Sequence, residues 1–127
     1  MPPISSLENL SRFILDEDYI RRKDNTVKWT AFKPPKDLRL SVFRTSGVAE
    51  AEIWAIGLRI VAEPQGKSLV GKADLIASVV RNHGLDVVSQ EPPERHADII
   101  NWPARREERT EIAMQLAKNA IFHRNND

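Results

Sequence analysis

A chain of 127 residues with 41% hydrophobic and 29% charged side chains has the size and composition of one ordinary globular domain. The absence of cysteine excludes disulfides, thiolate zinc sites and cysteine nucleophiles, and fits a reducing compartment. Nineteen Lys+Arg against eighteen Asp+Glu leave +1, so no global field favours nucleic acid, and the parts up to and after Val48 carry only +3 and −2.

The chain shows no internal repeat and no low-complexity segment, so residues 1–127 read as a single domain with residues 1–9 as a loose lead-in. MPPISSLENL has neither a basic start nor an apolar core, and no apolar run approaches the ~20 residues a bilayer requires. The expectation is a cytoplasmic protein without membrane contact. LENLSRFILDEDYI reads as a helix capped by Ser6, with Leu7, Leu10 and Ile14 inward, although SRFIL also suits a short strand. NTVKWTAF alternates, with Val27, Trp29 and Ala31 on one side, and Pro34-Pro35 ends it. DLRLSVFR is the clearest strand, with Leu38, Leu40 and Val42 on one face. Joined by KPPKD, these two segments are expected to form an antiparallel pair.

TSGVAEAEIWAIGLRIVAEP changes to a helical period, with Glu50 and Glu52 in its first turn and Pro64 at its end, and its apolar second half predicts burial. QGKSLVGKAD reads as a loop. DLIASVVRNHG reads as a helix closed by Gly84, LDVVSQ and HADIINW as strands separated by EPPER, and ARREERTEIAMQLAKNAIFHR as the strongest helix of the chain. The implied class is α+β: an antiparallel or mixed sheet of about four strands with two to four helices packed mainly on one face.

No nucleotide-loop, dinucleotide, hydrolase-elbow or zincin motif is present, and QGKS lacks the upstream glycine of a phosphate loop. No cofactor is implied. His83, His96 and His123 are too scattered for a local metal cluster; Asp98 shares a strand face with His96, but two ligands do not make a site. EPPERHADIINWP is the strongest catalytic candidate. Its diproline would present Arg95 and His96 in a fixed direction, with His96 as acid or base, Asp98 orienting it, and Arg95 gripping a phosphate or carboxylate. Arg44 from a neighbouring strand would join them. The plainer alternative makes His96 a strand residue donating to a backbone carbonyl. Trp29 beside Lys28, Lys33 and the Arg21-Arg22-Lys23 run would stack a base in a basic groove, or else belong to the core. Arg105 and Arg106 oppose the dipole of the last helix, which marks a binding surface unless Glu107 and Glu108 offset them.

NTVKWTAFKPP, LSVFRTSGVAEAEIWAIG, GKADLIASVV and PPERHADIINWP, in that order, resemble a recurrent family of small bacterial proteins sharing NTVxWxAFxPP- and PPxRHADI-type stretches. The resemblance spans Leu10 to Ala120. It implies a bacterial, cytosolic, single-domain protein, and it carries no activity, cofactor or catalytic residue with it.

Two functional expectations follow. The first is a non-catalytic interaction module for a macromolecular partner, protein ahead of nucleic acid, with open sheet edges compatible with a homodimer. The second is a nucleotide- or nucleic-acid-processing enzyme using His96, Arg95 and Asp98.

Overall fold

A computed structural model describes residues 3–126. Its centre is a six-stranded antiparallel sheet rather than one of about four strands. The strands are β1 (Asn9–Ile14), β4 (Leu40–Arg44), β5 (Gly71–Ile76), β6 (Asp86–Ser89), β7 (His96–Ile100) and β8 (Ile121–Arg124), in the spatial order β6-β7-β4-β1-β5-β8. A separate two-stranded ribbon joins β2 (Ile20–Arg21) to β3 (Thr26–Val27). Three helices complete the α+β fold: α1 (Glu50–Ile56), α2 (Ala77–Arg81) and α3 (Arg106–Asn119). No helix among the described residues is long and apolar enough to cross a membrane.

Alternation along each strand sorts the side chains into two layers. Leu10, Ile14, Leu40, Val42, Ala73, Leu75, Val87 and Ile99 build the larger core. It is closed by Ala77 and Val80 of α2, Ala113 and Leu116 of α3, and the 3-10 turn Trp29–Phe32. The opposite face carries a smaller cluster in which Phe13 and Phe43 meet Ile53, Ala62 and Leu69. The helices thus divide two against one across the sheet.

The segment around SRFIL is the central strand β1, not a helix. It is paired on both sides and covered on both faces, so apolar residues appear without clean alternation, which mimics a short helical pattern. QGKSLVGKAD contains β5, the other neighbour of β1, not a loop. Its Lys72 and Asp74 point to the second face and pair with each other at 2.6 Å, so the polar pattern that suggests a loop is an internal ion pair. Gly71 is required by proximity: a Cβ there would lie 2.5 Å from the His123 carbonyl oxygen. NTVKWTAF is not a strand beyond Val27, and it does not pair with β4, whose partners are β1 and β7. The last helix stops at Asn119, and IFHR forms the edge strand β8. Ile121 is accordingly exposed.

The helical segment after Ala49 continues past Ile56 through a wider π-helical stretch, Gly57–Ala62, and ends at Gly66 with φ +65°. Its expected burial holds only for the face carrying Ile53, Gly57 and Ala62; Leu58 and Ile60 are exposed. Gly57 lies flat against the Phe13 ring, where a Cβ would come within 2.6 Å.

Gly57→Ala is expected to destabilise the fold by about 1–3 kcal/mol in urea denaturation, because overpacking against Phe13 outweighs the roughly 1 kcal/mol gain in helix propensity. A neutral or stabilising result would show that α1 is free to move off the sheet. Glu17 accepts from Arg124 at 2.7 Å across most of the chain, and that hydrogen bond chiefly lowers its carboxyl pKa. A lowered carboxyl contributes stability that is complete above its unfolded pKa and is lost as pH falls through the folded value. Glu17→Gln should therefore flatten the fall in thermal stability between about pH 5 and pH 2.

Candidate functional site

The register of β4 and β7 places Ser41 opposite Asp98 and Phe43 opposite His96, all on the second face of the sheet. His96 Nδ1 lies 2.8 Å from the Gln90 carbonyl oxygen and so donates to it; Nε2 lies 2.6 Å from Ser41 Oγ. In the neutral ring this fixes Nε2 as the acceptor of the serine proton. The ring packs edge-on against Phe43. Asp98 is 3.7 Å from Nε2 but is engaged more closely by Arg39, whose Nε is 2.9 Å from Oδ2. Arg39 also donates to Gln90 Oε1. His96 and Asp98 are thus neighbours, as their spacing on one strand implies.

Arg95 and Arg44 do not join them. Arg95 adopts φ +71° in the diproline loop and turns towards α1, lining a cleft of about 180 Å³ with Glu52, Ile56 and Ile60. Arg44 donates to Glu91 at 2.8 Å, and the same carboxylate accepts from the Arg95 backbone N–H. Glu91 therefore fastens the diproline loop to the end of β4. The expected convergence of four residues reduces to a His96–Ser41–Asp98–Arg39 cluster.

A second polar cluster crosses the same face at β1 and β5. Asp74 accepts from Lys72 and from Ser11 at 2.6 Å each, and Ser11 contacts Thr45 at 2.9 Å. Lys72 is 3% exposed in its side chain and lies 5.6 Å from the ring of Trp54, which is half-buried and packs against the smaller cluster. His123 approaches Asp74 at 3.4 Å from the edge strand, beside a cleft of about 550 Å³ lined by Glu50, Trp54 and Asn125. The Lys72–Asp74 charges neutralise each other, as a buried pair must. No group of three metal-ligating side chains occurs among the described residues.

The surface around Trp29 is different. Trp29 is held in its 3-10 turn by Arg12, a half-buried residue of β1 whose guanidinium donates to the Ala31 carbonyl at 3.0 Å and the Ser41 carbonyl at 2.9 Å. Burial lowers the Arg12 pKa. The half-buried indole separates two clefts along α3. One is lined by Trp29, Lys33, Pro34, Arg106, Arg109 and Thr110. The other, about 390 Å³, is bounded by the β2–β3 ribbon and α3, with Arg21, Asp24, Met114 and Lys118 at its walls. Arg109 donates to the Pro103 and Ala104 carbonyls. Arg21, Lys33, Arg106 and Lys118 are exposed and take part in no ion pair among the described residues, whereas nearby Arg22 and Arg105 pair with Glu17 and with Glu107 and Glu108.

The expected association of Trp29 with Arg21 is present; Arg22 and Lys23 lie outside both clefts. Lys118 and Met114 carry no signal in the sequence beyond a place on the last helix. Arg106 does carry one, in its opposition to the helix dipole. Ser41 and Arg39 stand at alternate positions of the clearest strand, yet only strand pairing reveals that they face His96 and Asp98.

No protein-family model, curated protein or solved structure matches the chain.

His96→Ala should cost about 1–3 kcal/mol of stability, since it strips two hydrogen bonds from a packed region and leaves Ser41 and the Gln90 carbonyl without their partner. Chemical denaturation measures this; a change below about 0.5 kcal/mol would mean that His96 is structurally dispensable.

Proposed function

We propose that the protein is a small cytosolic bacterial module that binds a macromolecular partner, without catalysis, through the groove along α3 that Trp29 divides. The observation that carries this reading is the contrast in charge pairing. On the second sheet face, Lys72, Asp74 and Asp98 each have close internal ion-pair partners, and both His96 nitrogens are hydrogen-bonded. Around Trp29, Arg21, Lys33, Arg106 and Lys118 have no ion-pair partner among the described residues. A rigid aromatic ring among exposed cations is the composition of a contact surface, where Trp and Arg supply most of the binding energy.

One contact favours a second, catalytic reading. The Ser41 Oγ–His96 Nε2 distance of 2.6 Å, with Nδ1 tied to a carbonyl, is the arrangement of a hydroxyl activated by a base. Against it stand the 16% exposure of the His96 side chain and the absence of Ser41 and His96 from the linings of the described clefts.

A photocrosslinking side chain introduced at Met114 is expected to give discrete adducts in cells, and the same group at Arg59, exposed on the opposite side of the sheet, to give none. Lys33→Glu with Arg106→Glu should abolish the Met114 adducts. Equal labelling from both positions, or adducts insensitive to the charge reversals, would overturn the assignment of the groove. Turnover of a nucleotide substrate that is lost in Ser41→Ala would favour the catalytic reading instead.

A further inference from the structure

The two clefts beside Trp29, one of about 50 Å³ and one of about 390 Å³, share the indole as their common wall. Cations stand at both ends, Lys33, Arg106 and Arg109 on one side of the indole and Arg21 and Lys118 on the other. Asp24 is the one acid among the described residues lining either cleft, and it accepts from the Thr26 hydroxyl at 2.6 Å. From Arg106 to Lys118 the helix runs about 18 Å at 1.5 Å per residue. The positive end of the α3 dipole adds to the field at Arg106 rather than relieving it. Cations therefore line one side of α3, Arg106 against the helix dipole and Lys118 with it, although the net charge of the chain is only +1. Between these groups stands the half-buried Trp29 ring, packed against the larger core in a turn whose Ala31 carbonyl accepts from Arg12.

We infer that this groove binds single-stranded nucleic acid, with a base stacked on Trp29 and flanking phosphates held by Lys33 and Arg106 on one side and by Arg21 and Lys118 on the other. The inference rests on the groove being the binding surface and adds the chemistry of its occupant. A linear polyanion with a planar group between successive charges matches cations placed on both sides of an aromatic ring. A duplex keeps its bases stacked on one another and has none to offer the indole. An acidic protein segment would satisfy the cations but would leave the ring face without a planar partner.

The test is fluorescence anisotropy of a labelled single-stranded oligonucleotide of about twelve nucleotides, comparable to the sites such grooves cover, set against the matching duplex. The single strand should bind in preference to the duplex. With three or four phosphate contacts, log K should fall against log salt with a slope of about −2 to −3. Trp29→Ala should weaken binding about 5- to 100-fold, the range of one lost stacking contact, while Trp29→Phe keeps most of the affinity. Lys33→Glu with Arg106→Glu, both exposed and outside the core, should weaken binding and flatten the salt slope. Arg59→Glu with Lys67→Glu changes the net charge equally and should leave binding nearly unaltered. Absence of binding at low salt, preference for the duplex, or equal losses in the two charge-reversed variants would overturn the inference. Adducts from Met114 that are digested by protease but unchanged by nuclease would also overturn it while leaving the groove as the binding surface. Loss of those adducts altogether would remove the surface itself.

Discussion

The guanidinium of Arg12 ties the sheet to the segment that crosses it. Arg12 sits in the central strand on the core side, where a charge is costly, and its guanidinium donates to two backbone carbonyls. One acceptor lies in β4 and the other in the Trp29–Phe32 turn. A single side chain therefore spans β1, its neighbour and the turn that caps the larger core. The turn contributes Phe32, fully buried, and Trp29, half-buried. With Phe32 set into the core, the indole of Trp29 is directed onto α3, and the clefts on either side of it follow. The loss of solvation of Arg12 is offset by charge-assisted hydrogen bonds, and the geometry of the groove depends on them.

The charge buried under α1 is paired, and the charge around Trp29 is exposed. The face under α1 holds an unusual density of polar groups for an interior: Ser11, Thr45, Lys72 and Asp98 are all buried. They form closed networks in which carboxylates meet cations and hydroxyls bridge them. Pairing of this kind favours one register, because slipping a strand by one residue would leave Lys72 and Asp74 facing the apolar core. On the other side, beyond α3 and the β2–β3 ribbon, several cations are left without such partners. Unpaired surface charge costs little in water, so it is available for an external partner at small expense to stability. The distribution separates residues that hold the fold from residues that present a surface.

Edge and loop elements illustrate the same division. Glu91 holds the diproline loop by accepting from Arg44 and from the Arg95 backbone, so the loop that looks catalytic in sequence is clamped to the end of the inner strand β4 by a salt bridge. His96 then enters β7 with both nitrogens engaged. The residues that sequence reasoning joined at this place are adjacent in the chain, but their side chains leave in different directions because Arg95 lies in a positive-φ turn and His96 in a strand. At Trp29 the reverse holds: Arg21 lies eight residues before it and Lys118 far beyond, and folding brings them to one cleft.

The α+β class, the strands at Leu40–Arg44, Asp86–Ser89 and His96–Ile100, and the long final helix are legible in the sequence, because each follows from local periodicity and from the Gly and Pro residues that punctuate it. The sequence also made His96 and Asp98 neighbours through the two-residue period of a strand. That SRFIL and GKADLI are adjacent inner strands follows only from the fold, since strands covered on both faces, or carrying an internal ion pair, lose the alternation that identifies them. The fold alone decided which charges are paired. Pairing depends on distances between residues up to about a hundred positions apart, as for Glu17 and Arg124, and composition fixes only the sum of charges, not their partners. For that reason a chain of net charge +1 presents a line of unpaired cations around one tryptophan, and the sequence could name several of those residues without showing that they meet.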